Sequence, residues 1–227
     1  IKYAKDVEAD LVIANDPDAD RCAIAVKSSN GNWRTARGDE VGTALGKYLI
    51  DSHNFKNKSV ANSLVSSTLL SKIAKHNQIN FFETLTGFKW ISKIPNLAFG
   101  YEEALGYCVD PEVVNDKDGI SAAVLIAQLI DELKNKGKSF DDYLYDIGVE
   151  FGFHATDQIS VRVDDLAQID KLLSKIISDP PSDLAGYKIE SVEDLNQSKD
   201  LKTTGIRLRY SGEIRVIIRP SGTEPKL

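Results

Sequence analysis

Short apolar runs alternate along this chain with stretches of helical periodicity, a pattern that commits it to α/β architecture. Residues Asp10–Asn15 (DLVIAN) predict a buried strand, and Cys22–Lys27 (CAIAVK) a second one after a six-residue interruption. From Asp39 to Leu49, the residues Val41, Leu45, Tyr48 and Leu49 recur at helical spacing, with Gly46 a weak point, and the polar residues 51–58 read as a linker. A second unit then opens. Val60–Val65 predicts a strand, Ser67–His76 a helix with Leu69, Leu70, Ile73 and Ala74 on one face, and Ile79–Phe82 another strand, together a parallel βαβ unit. A short strand at Leu97–Tyr101 follows. After Gly119 comes a helix whose expected core stripe is Ile120, Ala123, Val124, Ala127, Ile130 and Leu133, closed by Gly137, and then a helix over Phe140–Gly148. The last stretch differs in kind. Gln158–Val163 alternates as a strand, Leu166–Ile177 is amphipathic, and Ile206–Tyr210 and Glu213–Ile218 flank Ser211-Gly212 as a hairpin, so an α+β block with antiparallel strands is expected.

Composition removes several function classes. The net charge is −6 and no Lys/Arg cluster stands out, which argues against a nucleic acid or an anionic membrane as the main partner. No apolar run approaches the roughly 20 residues that span a bilayer, and nothing at the start reads as a signal peptide. Cys22 and Cys108 form no spaced pattern, so a disulfide scaffold and a Cys-rich zinc site are excluded and a cytoplasmic setting fits. The chain opens on Ile1 and contains no methionine, and both of its ends are expected to be cut.

Chemistry concentrates in a few short motifs. Asp16-Pro17-Asp18-Ala19-Asp20-Arg21 places carboxylates at i, i+2 and i+4 after an apolar strand. Such a set can converge on one hard cation that takes oxygen ligands, Mg²⁺ or Ca²⁺, and Pro17 lowers the cost of gathering like charges; a solvated acidic turn is the plain alternative. An EF-hand is excluded, because Arg21 stands where the loop glycine belongs and Lys27 where the closing glutamate belongs. Arg21 beside a metal cluster points to an anionic partner. Arg219-Pro220-Ser221-Gly222-Thr223-Glu224-Pro225 follows a strand and combines backbone N–H groups, two hydroxyls and a guanidinium, the donors that capture a phosphate.

Weaker signals accompany these. The glutamates of Gly100-Tyr101-Glu102-Glu103-Ala104-Leu105-Gly106-Tyr107 suit sugar hydroxyls or acid/base work, or are surface charge. Thr86-Gly87-Phe88-Lys89 and Asp116-Lys117-Asp118-Gly119 each bring a lysine to a loop before a helix, where the loop either meets phosphate or simply caps the helix. Ser52-His53-Asn54 looks like a nucleophile beside a base, but nothing orients its imidazole. His53, His76 and His154 share no metal spacing.

In this order, DPDADR, TGFKW, YEEALG, DKDG and RPSGTEP resemble the α-D-phosphohexomutase superfamily of phosphoglucomutases and phosphomannomutases. The YEEALG and RPSGTEPK forms look most like the branch holding bacterial phosphoglucomutases and the phosphoglucomutase-2-like phosphopentomutases. The resemblance implies mixed-sheet α/β units followed by an α+β C-terminal domain: residues 1–54 as the end of domain two, 55–150 as domain three and 151–227 as a truncated domain four. It carries Asp16, Asp18 and Asp20 onto the Mg²⁺ ligands and Arg21 onto the arginine that supports the phosphoserine site. Lys117 falls on a lysine near the transferring phosphate, Glu102 on the glutamate that holds sugar hydroxyls, and Gly87 and Lys89 on the specificity loop. Arg219, Ser221, Gly222 and Thr223 fall on the loop that grips the non-reacting phosphate.

The activity implied is interconversion of hexose 1-phosphate and hexose 6-phosphate, glucose foremost, through a phosphoserine and a bisphosphate intermediate that also serves as activator. A phosphosugar is then the partner, in a monomer or a dimer. Two departures stand out. Ala104 replaces a serine that many members carry, which leaves the sugar's hydroxyl pattern open. The phosphoserine motif of the family lies far upstream of its metal loop, so Ser52 is not assigned as nucleophile and these residues alone are expected to be inactive. Mannose or pentose phosphates are alternative substrates. From other classes, a Mg²⁺-dependent phosphatase with an aspartate nucleophile and a non-catalytic phosphosugar or cation binder are the rivals.

Overall fold

The two apolar runs near the start pair as a hairpin. β1 (Leu11–Asn15) and β2 (Cys22–Lys27) are antiparallel from Leu11 opposite Val26 to Asn15 opposite Cys22, and β3 (Trp33–Thr35) adds on the far side of β2. A short helix, α1 (Lys2–Asp6), precedes them. The structure, a computed structural model, describes residues 1–163 and 166–220, and its contacts divide the chain into two units, Ile1–Thr156 and Asp157–Leu227. The DLVIAN run is not the buried strand its composition suggests. β1 is the edge of its three-stranded sheet, with Ile13, Ala14 and Asn15 exposed, because only β2 lies beside it.

The second sheet of this unit is mixed, in the order β5-β4-β6-β7. β4 (Ser59–Ser63), α3 (Leu69–His76) and β5 (Asn80–Thr84) form the expected parallel βαβ unit. A single helical turn, α4 (Phe88–Ile91), leads to β6 (Leu97–Glu102), parallel to β4, and β7 (Gly106–Cys108) turns back antiparallel along β6. Ahead of β4, α2 (Gly38–Ser52) lies against β6. The reason is steric: a Cβ on Gly42 would stand 2.3 Å from the Tyr101 ring and one on Gly46 3.0 Å from the Phe99 ring. Gly46, a weakness for a helix in isolation, is what lets the two elements touch.

α5 (Gly119–Asn135) closes the core and corrects the expected stripe. Its buried residues are Gly119, Ala122, Ile126, Leu129 and Leu133; of the expected stripe Leu133 is buried and Ala123 and Ile130 pack against the core, whereas Ile120 and Val124 are 56% and 66% exposed and Ala127 is exposed as well. The helix is apolar nearly all round, so two stripes one residue apart were available, and one residue is a rotation of about 100°. Contacts at its first turn, described below, choose between them. α6 (Phe140–Phe151) follows, opened by a capping box of Ser139 and Asp142.

In the second unit α7 (Leu166–Ser178) contributes Ile169 and Leu173 to a separate core with Ile206, Leu208 and Tyr210. Its sheet is antiparallel, from β8 (Asp183–Leu184) and β9 (Tyr187–Asp194) to β10 (Ile206–Tyr210) and β11 (Ile214–Ile218), the last two being the expected hairpin. Residues 158–163 are not a strand; a single bridge at Arg162 is all that forms, and Ile159 is 85% exposed. Alternation makes a strand only where a partner edge and a face to bury coincide. β9 escaped notice because its inward residues, Ile189 and Val192, are three apart, and a register shift opposite Arg209 and Tyr210 accommodates the odd spacing.

Candidate functional site

The DPDADR residues form the connection between β1 and β2. The Ala19 N–H donates back to the Asp16 carbonyl at 2.9 Å, Ala19 then takes φ 58°, and the Asn15 amide closes the base of the loop on the Arg21 carbonyl at 2.8 Å. The turn gathers its three carboxylates: ligand oxygens of Asp16, Asp18 and Asp20 lie within 4.8 Å of one another. An all-oxygen donor set at that spacing fits a hard divalent cation.

Two cations of the chain brace the loop. Arg21 donates to both oxygens of Asp16, from its backbone N–H at 3.0 Å and from Nε at 2.6 Å. Those bonds, the backbone one foremost, hold the Asp16 carboxyl below the usual range, and the paired carboxylate raises the guanidinium's own pKa. About half of the Arg21 side chain remains exposed. Lys117 Nζ lies 2.6 Å from Asp20 Oδ2, and that bond is the main reason its ammonium is held above the ordinary lysine value. The stem of Lys117 crosses Gly106, and its ammonium stands 5.9 Å from the centre of the Phe88 ring.

The glutamates of YEEALG separate into two roles. The Gly87 N–H donates to Glu102 Oε1 at 2.6 Å, which ties the end of β6 to the loop after β5. Glu103 faces inward, where Ser63 and Ser66 hydroxyls each donate to its Oε2 at 3.0 Å and its own N–H donates to Ser66 Oγ at 3.1 Å. Tyr101, fully buried, donates to Asp39 Oδ1 at 3.0 Å, and the same oxygen accepts the Ser67 N–H at 2.6 Å. The loop is then stitched to the hairpin: Cys22 N–H donates to the Leu105 carbonyl at 3.0 Å and Arg21 bridges Gly106. Lys89, by contrast, stacks on Trp90 with its ammonium 5.5 Å from the ring centre.

The phosphoglucomutase/phosphomannomutase alpha/beta/alpha domain III family matches residues 37–148. A protein of Haemophilus influenzae named probable phosphomannomutase is 46% identical over the whole of this chain and 47% of its own length. Through residues 37–148 the chain belongs to the phosphoglucomutase/phosphomannomutase family. Among solved mutases of similar fold are the open form of parafusin, a phosphoglucomutase from Paramecium, and N-acetylphosphoglucosamine mutase of Aspergillus fumigatus with GlcNAc-6P and magnesium. The first has a TM-score of 0.69 and 23% identity over 95% of this chain and 38% of that one. The second has a TM-score of 0.54 and 16% identity over 99% of this chain and 47% of that one. The chain spans about half the length of the curated relatives it matches.

The first unit of the chain therefore brings four of the five motifs together: the aspartate loop, Lys117, Glu102 and Gly87. Arg219 lies in the second unit at the end of β11, with its Nε buried and lacking a hydrogen-bond partner among the described residues. Ser221, Gly222 and Thr223 lie outside the described residues. In the DKDG loop Asp118 caps α5 by accepting from the Ile120 and Ser121 N–H groups, while Lys117 pairs with Asp20. Sequence reading missed Asp39, Ser63 and Ser66, whose signal is faint: Asp39 stands beside Glu40 at a helix start, and the two serines stand among other small polar residues around the end of β4.

Proposed function

We propose that this chain carries the cation-binding and sugar-facing machinery of a mutase that interconverts glucose 1-phosphate and glucose 6-phosphate by way of a phosphoserine and a bisphosphate. The observation that carries the reading is the convergence of the aspartate cluster, Lys117, Glu102 and Gly87 within one unit. Asp16, Asp18 and Asp20 would hold Mg²⁺, which when bound neutralises charge on the transferring phosphoryl group. Lys117 and the exposed part of Arg21 add positive charge beside that centre. Glu102 accepts hydrogen bonds from the sugar hydroxyls, its carboxylate oriented by the Gly87 bond it already makes, while Gly87 and Lys89 frame the sugar. Arg219, with Ser221, Gly222 and Thr223, grips the phosphate that is not reacting, and the orphaned Arg219 Nε is the kind of donor such a group satisfies.

An Asp16 nucleophile fits less well than a ligand role, because Arg21 holds both oxygens of that carboxylate in place. The 46%-identical relative named probable phosphomannomutase favours mannose phosphates as a second substrate. The three-part division into residues 1–54, 55–150 and 151–227, the bisphosphate activator and a cytoplasmic setting belong to the same proposal. Among the described residues no helix is long and apolar enough to cross a membrane. The test is titration calorimetry on the chain with MgCl₂ and then with glucose 1-phosphate or mannose 1-phosphate. Binding of Mg²⁺, abolished by Asp18→Asn, and of a hexose phosphate, weakened by Glu102→Ala, is expected. A chain that binds Ca²⁺ tightly and no phosphosugar would refute the reading.

A further inference from the structure

The first residue of α5 touches the aspartate loop more closely than any side chain allows. A Cβ on Gly119 would stand 2.4 Å from the Arg21 carbonyl oxygen, 2.7 Å from the Ala19 carbonyl oxygen and 2.5 Å from the Asn15 amide nitrogen. Two of these atoms are backbone and the third is a side chain already bonded to the Arg21 carbonyl. None can move away without the loop changing shape. The Gly119 N–H also donates to the Ala19 carbonyl at 3.0 Å. This N–H is one of the donors that a helix start leaves without an intrahelical partner. Asp118 takes the next two, Ile120 and Ser121, so the helix offers its remaining first-turn donor to the loop.

We propose that Gly119 and Asn15 are positioning residues for the cation centre: together they clamp the aspartate loop from behind and fix the spacing of Asp16, Asp18 and Asp20. The contacts enclose both halves of the turn. Asn15 and Arg21 hold the two legs at its base, and Gly119 presses against the carbonyl of Ala19, the residue in the left-handed conformation between Asp18 and Asp20. Ordinary van der Waals contact begins near 3.4 Å, so an alanine at 119 pushes the Arg21 and Ala19 carbonyls back by up to about 1 Å. Carboxylates that must meet one ion at 2.0–2.6 Å do not tolerate such a displacement. The clamp also sets the rotation of α5, because with Gly119 against the loop the face that turns to the core is Ala122, Ile126, Leu129 and Leu133.

This rests on the cation reading above, and the experiment separates the two. The affinity of the chain for Mn²⁺ alone is measured by electron paramagnetic resonance for the wild type, Gly119→Ala and Asn15→Ala, with thermal unfolding recorded for each. Substitutions behind a metal site commonly weaken binding by about 10- to 100-fold. A loss of at least tenfold in Gly119→Ala, and a smaller loss in Asn15→Ala, is expected in proteins that keep their cooperative unfolding. Folded variants that both bind Mn²⁺ like the wild type overturn the clamp and leave the cation site standing. A wild-type chain that binds no Mn²⁺ overturns the site and the clamp with it. Should Gly119→Ala fail to fold, Asn15→Ala decides alone: its side chain is exposed, and wild-type affinity in that variant overturns the proposal.

Discussion

Replacing Asp39 tests whether buried polar bonds hold the Glu102 loop in place. Asp39 is 7% exposed, and one of its oxygens accepts both the Ser67 N–H at 2.6 Å and the Tyr101 hydroxyl at 3.0 Å. Both donors are buried, so Asp39→Ala leaves two of them unsatisfied at about 1–3 kcal/mol each, and a loss of about 4 kcal/mol follows. Asp39→Asn keeps an acceptor in place and gives up only the charge assistance, about 1 kcal/mol. Trp33 and Trp90 are the only tryptophans and both lie in the first unit, so their fluorescence follows the unfolding of that unit alone. At a denaturant slope of about 2 kcal/mol/M, the alanine variant should unfold at a urea midpoint about 2 M lower, and the asparagine variant about 0.5 M lower. Because Tyr101 immediately precedes Glu102, the alanine variant should also bind hexose phosphate less tightly. If alanine and asparagine variants unfold within 1 kcal/mol of each other, the Asp39 acceptor is not what holds these groups, and the reasoning fails.

Further outcomes follow from the same geometry. Ile126→Ala, at a site 1% exposed, should cost about 2–5 kcal/mol, whereas Val124→Ala, 66% exposed, should stay within about 0.5 kcal/mol in the same urea melts; equal costs would restore the stripe that periodicity suggested. Burial by itself would raise the Asp118 carboxyl, but the Ser121 hydroxyl, followed by the Ser121 and Ile120 N–H groups, outweighs it and holds the carboxyl below its ordinary pKa. The stabilisation from this cap is therefore present above the ordinary carboxylate pKa and is lost as pH falls through the depressed one. The gap in Tm between wild type and Asp118→Asn should close on acidification from about pH 5 towards pH 2, and a pH-independent gap would remove the cap's charge from the account. Arg219→Ala should weaken glucose 1-phosphate binding to the chain about tenfold or more by calorimetry, the loss of a charge-assisted bond; unchanged affinity takes this arginine out of the phosphate grip.

Local patterns carried most of the architecture into the sequence. The βαβ unit, the β10–β11 hairpin and the helices after Gly38 and Gly119 each show in the spacing of a few neighbouring apolar residues, which the backbone periods read directly. The motif residues were equally visible, Asp16 and Lys117 in short polar loops and Glu102 at the end of β6. What stayed hidden depends on partners far along the chain. The phase of α5 is set by contact of Gly119 with residues 15–21, which no helical wheel contains. Glu102 and Glu103 are chemically alike in sequence and separate only when Ser63 and Ser66 claim the second. β1 reads as buried because composition cannot tell an edge from a centre.

The hydrogen bond from Gly119 to Ala19 joins residues a hundred positions apart, while the hairpin that carries Ala19 is closed by neighbours. Contacts between near neighbours form early and those between distant ones late, since closing a longer loop costs more entropy. During synthesis the hairpin emerges first, and its aspartates wait until the segment through β7 and the start of α5 has been made. The proposed cation centre would thus be a late-maturing part of the first unit. A nascent or partly unfolded chain would display the acidic turn without its clamp, so metal affinity reports completion of the fold as well as readiness for chemistry.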